Sequence, residues 1–189
     1  IVRDKSDERL PMMARAALLV VINQIQTISA EITRLDTTLR KENKANDIGR
    51  RLETIPSVGP VIASAFRARV TKPDLFKNGR HLAAWIGVVP ENDSTGGKPK
   101  QKGLSKKGDR YLRALLVNGA MAVVRQAKMR PDKHPWVAGL LARMSAKQAA
   151  IAIANKTARI AWVLMVRGGV YETGYRAHAY RGAPLSAAS

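Results

Sequence analysis

Between Leu18 and Leu39, apolar residues recur in alternating steps of three and four: Leu18, Val21, Ile25, Ile28, Ile32, Leu35 and Leu39. That period holds for about three heptads and fits a helix, because a strand would need a period of two. Polar residues such as Gln24, Glu31, Arg34 and Asp36 occupy the positions between. The pattern predicts one helix over residues 11–48, ~55 Å long at ~1.5 Å per residue, which is longer than a compact domain of this size needs. So narrow a seam suits a partner helix better than a broad core. The expectation is therefore a coiled-coil arm over residues 1–50 that makes the chain a homo-oligomer, with packing onto its own domain as the alternative.

Charge narrows the partner. The chain has 33 Lys and Arg against 14 Asp and Glu, a net +19. From Ser94 onward there are 18 basic and 3 acidic residues, so +15 of the +19 lies there. Such a field draws in polyanions, and nucleic acid is favoured over a membrane because no lipidation or interfacial-anchor signal accompanies it. With no cysteine, disulfides, thiolate nucleophiles and thiolate zinc sites are excluded. His81, His134 and His178 are too scattered to suggest a metal site, so none is expected in this chain. No uninterrupted apolar run reaches ~18 residues, so no membrane span is expected. No signal peptide is visible. The chain opens on Ile1 within a charged segment, which predicts that an N-terminal portion precedes it.

Past the arm, residues 51–172 read as a mainly α domain. Residues 52–63, Leu-Glu-Thr-Ile-Pro-Ser-Val-Gly-Pro-Val-Ile-Ala, fit a helix–hairpin–helix pattern within 52–70. Ile55 and Val58 would anchor the hairpin, Gly59 would let backbone approach a phosphate, and Pro60 suits a first helical turn. The same hairpin serves equally well for packing alone. Residues 73–89 predict a turn and a short helix with Leu82, Ala83, Trp85 and Ile86 inside. Residues 90–107 have no apolar period and predict a long loop, of the kind that is usually functional. No strand is expected except a short one near Val88 and Val89.

The loop leads into a helix from about Gly108, striped by Leu112, Leu115, Leu116, Gly119, Ala120, Val123, Val124 and Ala127. A shorter helix near 135–144 and a central, nearly all-apolar one over 146–167 follow. Gly168 and Gly169 stop the last helix. The tail, 173–189, is weakly patterned.

Residues 94–113, STGGKPKQKGLSKKGDRYLR, carry the candidate chemistry. They set a hydroxyl beside two glycines among seven basic residues and one acid, Asp109. Arg110 and Arg113 stand in the first turns of a helix, where cations oppose the dipole unless an external anion is present. The stretch reads either as a nucleophile in a basic loop or as a phosphate grip without chemistry. A serine hydroxyl needs a base, a metal or charge stabilisation to attack. No Ser-His-Asp arrangement surrounds Ser94, and His81 is the one candidate base upstream. Ser105 is a rival hydroxyl with a helix-capping role as its alternative.

Four segments in order, IPSVGPVIA (55–63), HLAAWIGVVPENDSTGGK (81–98), GLSKKGDRYLRALLVNGA (103–120) and KQAAIAIANKTARIAWVLMVRGGVY (147–171), resemble the transposases of the insertion-sequence IS-one-ten family. The family includes IS-eleven-eleven, IS-one-sixteen and IS-nine-zero-two relatives. The resemblance implies a DNA transposase or recombinase whose N-terminal nuclease half binds divalent metal, Mg, through an acidic quartet, and whose C-terminal domain supplies a serine. This chain matches only the arm and the C-terminal domain, so no cofactor is expected in it. The family's serine context falls on Ser94-Thr95-Gly96-Gly97-Lys98, which makes Ser94 the implied nucleophile. Gly59, Gly96, Gly97, Lys98, Lys100, Lys102, Lys106, Lys107, Arg110 and Arg113 are the implied nucleic-acid contacts. The implied partners are DNA and an element-encoded bridge RNA, and the implied location is the prokaryotic cytoplasm, at the nucleoid. The alternative is a non-enzymatic helix–hairpin–helix module that binds DNA or RNA.

Overall fold

A computed structural model describes residues 2, 4, 9–93, 100–104 and 107–172, with 90–93 and 100–104 described by their backbone. The fold is mainly α. The expectation for the 173–189 tail lies outside the described residues.

The first helix, α1, runs Met12–Ala45. Its seam is exposed along most of its length, from Leu18 at 41% to Ile32 at 61%. The chain then breaks where a continuous helix was expected. Asn46 turns extended, and its side chain accepts from the Gly49 N–H at 3.0 Å, capping α2, Asp47–Glu53. An Asn that can satisfy an orphan N–H favours a cap over a helix interior, which is why the arm stops here.

A six-residue turn leads to α3, Pro60–Arg69. The joint between arm and domain is Asn43, fully buried. Its amide donates to Glu53 Oε1 and to the Pro60 carbonyl, each at 2.9 Å. Its oxygen accepts from Ser64 Oγ at 3.1 Å and from the Arg67 guanidinium at 3.0 Å. One side chain thus ties α1, α2 and α3 together.

After a 3₁₀ turn at Pro73–Leu75 comes α4, Gly79–Ile86, capped by the Asn78 side chain and ended by Gly87 at φ 82°. Leu82, Ala83 and Ile86 are buried as expected, but Trp85 is not a core residue. Its ring is 41% exposed and meets Phe76 edge-on at 5.5 Å. On a short helix, the three residues that face α7 leave the fourth at the rim.

Residues expected to be a loop contain an antiparallel ribbon, β1 (Pro90–Asp93) paired with β2 (Lys100–Leu104). A register shift lies between Pro90 and Glu91. No strand forms at Val88 and Val89; Val88 is instead buried in the core.

The remaining helices are α5 (Arg110–Met129), α6 (Pro135–Leu141) and α7 (Ala146–Arg167). The stripe on α5 behaves as its period requires: Leu112, Leu116, Ala120, Val123, Val124 and Ala127 are all buried. Helix α7 packs against α2, α4, α5 and α6, while α1 and α3 pack on α2 and on each other. Both α1 and α7 are long and apolar enough to cross a membrane by length and composition, although neither holds an uninterrupted apolar run. In α7 that apolar stretch is 56% buried inside the fold, and in α1 none of it is.

Replacing Asn43 with Ala would strip partners from Glu53 and Arg67 at once. We expect a loss of about 2–4 kcal/mol, read by urea unfolding, with Asn43→Leu no better, because a lost buried polar network is costly.

Candidate nucleic-acid interface

The ribbon is held at both feet. On the incoming side, α4 ends in a left-handed Gly87 cap, and the backbone turns through Val88 into β1. The Ile86 carbonyl accepts from the Arg113 guanidinium of α5 at 3.1 Å. The Val88 carbonyl accepts from the Asn155 side chain of α7, also at 3.1 Å. On the outgoing side, Gly108 adopts φ 135°, and a Cβ there would lie 2.2 Å from the Trp85 carbonyl oxygen. Only glycine allows both that conformation and that approach. Asp109 then caps α5, its Oδ1 accepting from the Leu112 N–H at 2.8 Å.

Asp109 does more than cap. Its side chain is only 9% exposed, and Oδ2 lies 3.6 Å from the Arg69 guanidinium at the end of α3. Arg69 in turn stands over the Tyr111 ring, 5.6 Å from its centroid. A carboxylate at the N-cap also offsets the dipole that two early arginines would oppose.

The predicted site residues separate into groups. Arg110 and Lys107 are exposed at the foot of the ribbon. Arg113 is half-buried and spends a guanidinium N–H on the Ile86 carbonyl, so it holds the ribbon's foot as well as carrying charge. Lys100 and Lys102 lie on β2, where the register sets them opposite Asp93 and Glu91. The pairing therefore brings two acids into line with a stretch that reads as almost purely basic along the chain. Ser94, Gly96, Gly97 and Lys98, together with Ser105 and Lys106, lie outside the described residues. His81 is exposed in the first turn of α4.

Gly59 belongs to a different place. It caps α3 without a side-chain hydrogen bond, and a Cβ on it would meet nothing within 4 Å. Ile55 and Val58, in the turn before it, are buried. The turn is fastened to α7 by Ser57 Oγ and Thr157 Oγ1 at 2.6 Å, and to α5 by close approach at Gly119. An open groove of about 310 Å³ lies beside Gly59, lined across from it by Gly119, Ala122, Val123 and Gln126, with no charged residue in its walls. Ser57 sits by Gly119 while Arg69 sits by Asp109, so α3 and α5 run antiparallel. Nine residues of α5 separate Gly119 from Arg110, ~14 Å along the helix. Gly59 and the basic ribbon foot are thus at opposite ends of α3.

Four residues at these places escape a reading by charge alone: Asp109, Asn155, Arg69 and Tyr111. Asp109 carried a usable signal, an Asp just before an apolar period. Asn155 stands out as a polar residue within the most apolar helix. Nothing along the chain announces the Arg69–Tyr111 contact, which is made between helices. On another surface, Lys156 stands 3.9 Å from the centroid of the Trp136 ring, and burial pushes its ammonium pKa below the usual lysine value.

The class defined by these features is a strongly basic, mainly α-helical domain whose one described ribbon is pinned between α4 and α5. Residues 49–134 match the transposase family described as IS116/IS110/IS902. That span takes in most of α2 and all of α3, α4, the ribbon and α5. The chain is 38% identical over 171 residues to y4pF/y4sB of Sinorhizobium fredii, which bears a transposase name, covering 89% of this chain and 44% of that protein. It is 40% identical over 153 residues to a Pseudomonas aeruginosa protein named as a family 20 transposase, covering 80% and 45%. Against the transposase for insertion sequence element IS1111A of Coxiella burnetii, identity is 39% over 137 residues, covering 72% and 38%. The chain spans less than half the length of these curated relatives.

A Gly108→Ala substitution would force a strained backbone against the Trp85 carbonyl. It should cost at least about 2 kcal/mol in urea unfolding, whereas Gly59→Ala, which meets open space, should cost under about 1 kcal/mol.

Proposed function

We propose that this chain binds DNA and supplies Ser94 as the nucleophile for strand cleavage and rejoining in the transposition of an insertion sequence. The observation that carries the reading is the family match over residues 49–134, a span that contains both the hairpin and the serine stretch. Ser94 Oγ gives up its proton and attacks a backbone phosphorus; the Oγ–P bond forms as a P–O bond of the strand breaks, and the departing strand end takes up a proton and leaves as a hydroxyl. Lys98, Lys106, Lys107 and Arg110 stabilise the charge on the phosphorane.

Residues 52–70 act as a helix–hairpin–helix grip, with Ile55 and Val58 as anchors. Gly59 and the uncapped start of α3 approach one phosphate while Arg110 approaches another. At ~3.4 Å per step, a separation of ~14 Å corresponds to about four nucleotides of one strand. Gly96 and Gly97 add to the contact, and Lys100 and Lys102 extend it along the ribbon.

The family resemblance assigns divalent metal to a separate nuclease half. The roles proposed for this chain are those of its own hydroxyl and cationic side chains. An element-encoded RNA is the proposed second nucleic-acid partner, and the prokaryotic cytoplasm, at the nucleoid, the proposed location. The exposed seam of α1 pairs with a second copy as a coiled coil, because its apolar residues keep heptad spacing and are left uncovered by the chain's own domain.

Two measurements test this. In a full-length transposase, Ser94→Ala should keep DNA affinity within about twofold while abolishing recombination and the covalent protein–DNA adduct, since a lost nucleophile removes an entire step. Unchanged recombination would instead establish a binding module without chemistry. With about six phosphate contacts, duplex affinity should fall with salt at a log–log slope of about −5. Separately, Ile25→Glu with Ile32→Glu should convert the oligomer to a monomer in sedimentation, because charges at seam positions oppose pairing.

A further inference from the structure

Tyr111 contributes little to the core. It follows the first residue of α5 and is 51% exposed, while its neighbours Leu112 and Leu116 on the buried stripe are at 0% and 1%. Aromatic side chains bury ~150–250 Å² when packed, so half-exposing one forgoes much of that gain. The ring is nevertheless held in place. Asp109, fixed as the α5 cap, lies 3.6 Å from the Arg69 guanidinium, and Arg69 stands 5.6 Å from the ring centroid. The result is a layered unit of carboxylate, guanidinium and aromatic ring built from two helices. Lys107 and Arg110 are exposed beside it, and the acid nearest to them along the chain, Asp109, is almost covered.

We propose that Tyr111, backed by Arg69, is a stacking platform for an unpaired nucleobase on a nucleic-acid strand that passes the foot of the ribbon. This rests on the nucleic-acid reading above and deepens it. Cations alone grip any phosphate backbone, single or double. An exposed aromatic face adds something a duplex cannot use, because its bases are already stacked on one another. Base–aromatic stacking combined with a cationic track is the physical basis of single-strand binding, and an arginine against the ring adds to it. Strand cleavage and rejoining call for bases taken out of the duplex near the reacting phosphate. Tyr111 lies just past Gly108, at the ribbon's outgoing foot. The ligand is a base on a single strand, and either DNA or RNA can provide it.

The test uses the purified chain and three fluorescein-labelled probes of about 20 nucleotides: an oligothymidylate, an oligouridylate and a DNA duplex. Anisotropy at about 0.1 M salt gives each affinity. Tyr111→Ala should weaken binding of at least one single-stranded probe by about 5- to 100-fold, with the duplex changed by less than about threefold. Tyr111→Phe, which keeps the face, should stay within about twofold of the unsubstituted chain on every probe. Loss on oligothymidylate alone points to a DNA strand, loss on oligouridylate alone to RNA, and loss on both to either. The salt slope should be unchanged by Tyr111→Ala but shallower by about one in Arg110→Gln.

If Tyr111→Ala lowers the melting temperature by more than about 5 °C, Tyr111→Leu keeps the bulk without the face and should show the same single-strand loss. Equal loss on duplex and single strands, no loss on any, or a Phe variant as weak as the Ala variant would overturn the platform. If the unsubstituted chain binds none of the three probes, the nucleic-acid reading itself fails. If it binds and Tyr111 makes no difference, only the platform fails.

Discussion

Five alanines on one helix are completely solvent-free: Ala149, Ala150, Ala154, Ala158 and Ala161 of α7. Because they have so little side chain, neighbouring backbones can come close enough to surround the helix. At Gly79 the approach is so tight that a Cβ would lie 2.8 Å from the Arg159 carbonyl oxygen. Three polar groups on this helix act as fasteners. Thr157 holds the α2–α3 turn, Asn155 holds the ribbon's first foot, and the Trp162 indole N–H donates to the Pro73 carbonyl at 2.9 Å. Each bond contributes only about 1 kcal/mol net, but leaving a buried group unpaired costs more, so these contacts select one arrangement over its alternatives. Among the described residues no buried side-chain N or O lacks a partner.

Two further joints complete the fold. Asn43 ties the long arm to α2 and α3, so the direction of α1 and the position of α3 are one structural fact. At the other end of α3, Gly108, Asp109 and Arg113 gather the ribbon's feet against α4 and α5. Between the joints, antiparallel α3 and α5 form a ruler of about 14 Å. Some of the basic surface is thereby consumed internally: Arg113 serves a carbonyl, Arg67 serves Asn43, and Arg69 serves a carboxylate and a ring. A high count of cations therefore overstates how many are available to a polyanion.

Much of the helical fold was legible in local pattern. The α5 stripe, the bounds of α7 with its Gly168 stop, and the length of the arm all follow from periodicity and capping, which act over a few residues. The ribbon was not legible. Pro-Glu-Asn-Asp and Lys-Gln-Lys-Gly-Leu contain almost none of the β-branched and aromatic residues that mark strands, and their pairing joins positions up to fourteen residues apart. Trp85 was misread because hydrophobicity says what a side chain prefers, whereas its neighbours decide whether the core has room for it.

By itself the sequence determined most of the helices, the stop of α7, the seam on the arm, the excess of positive charge and the order of motifs that resembles the family. These properties live in spacing and composition, and each is settled within a turn or two of chain. Tertiary structure alone decided that Asn43 is a buried hub, that Asp93 and Glu91 sit across from Lys100 and Lys102, and that Arg69 reaches Tyr111. Those contacts join separate elements, and no periodicity along the chain encodes which surfaces will meet.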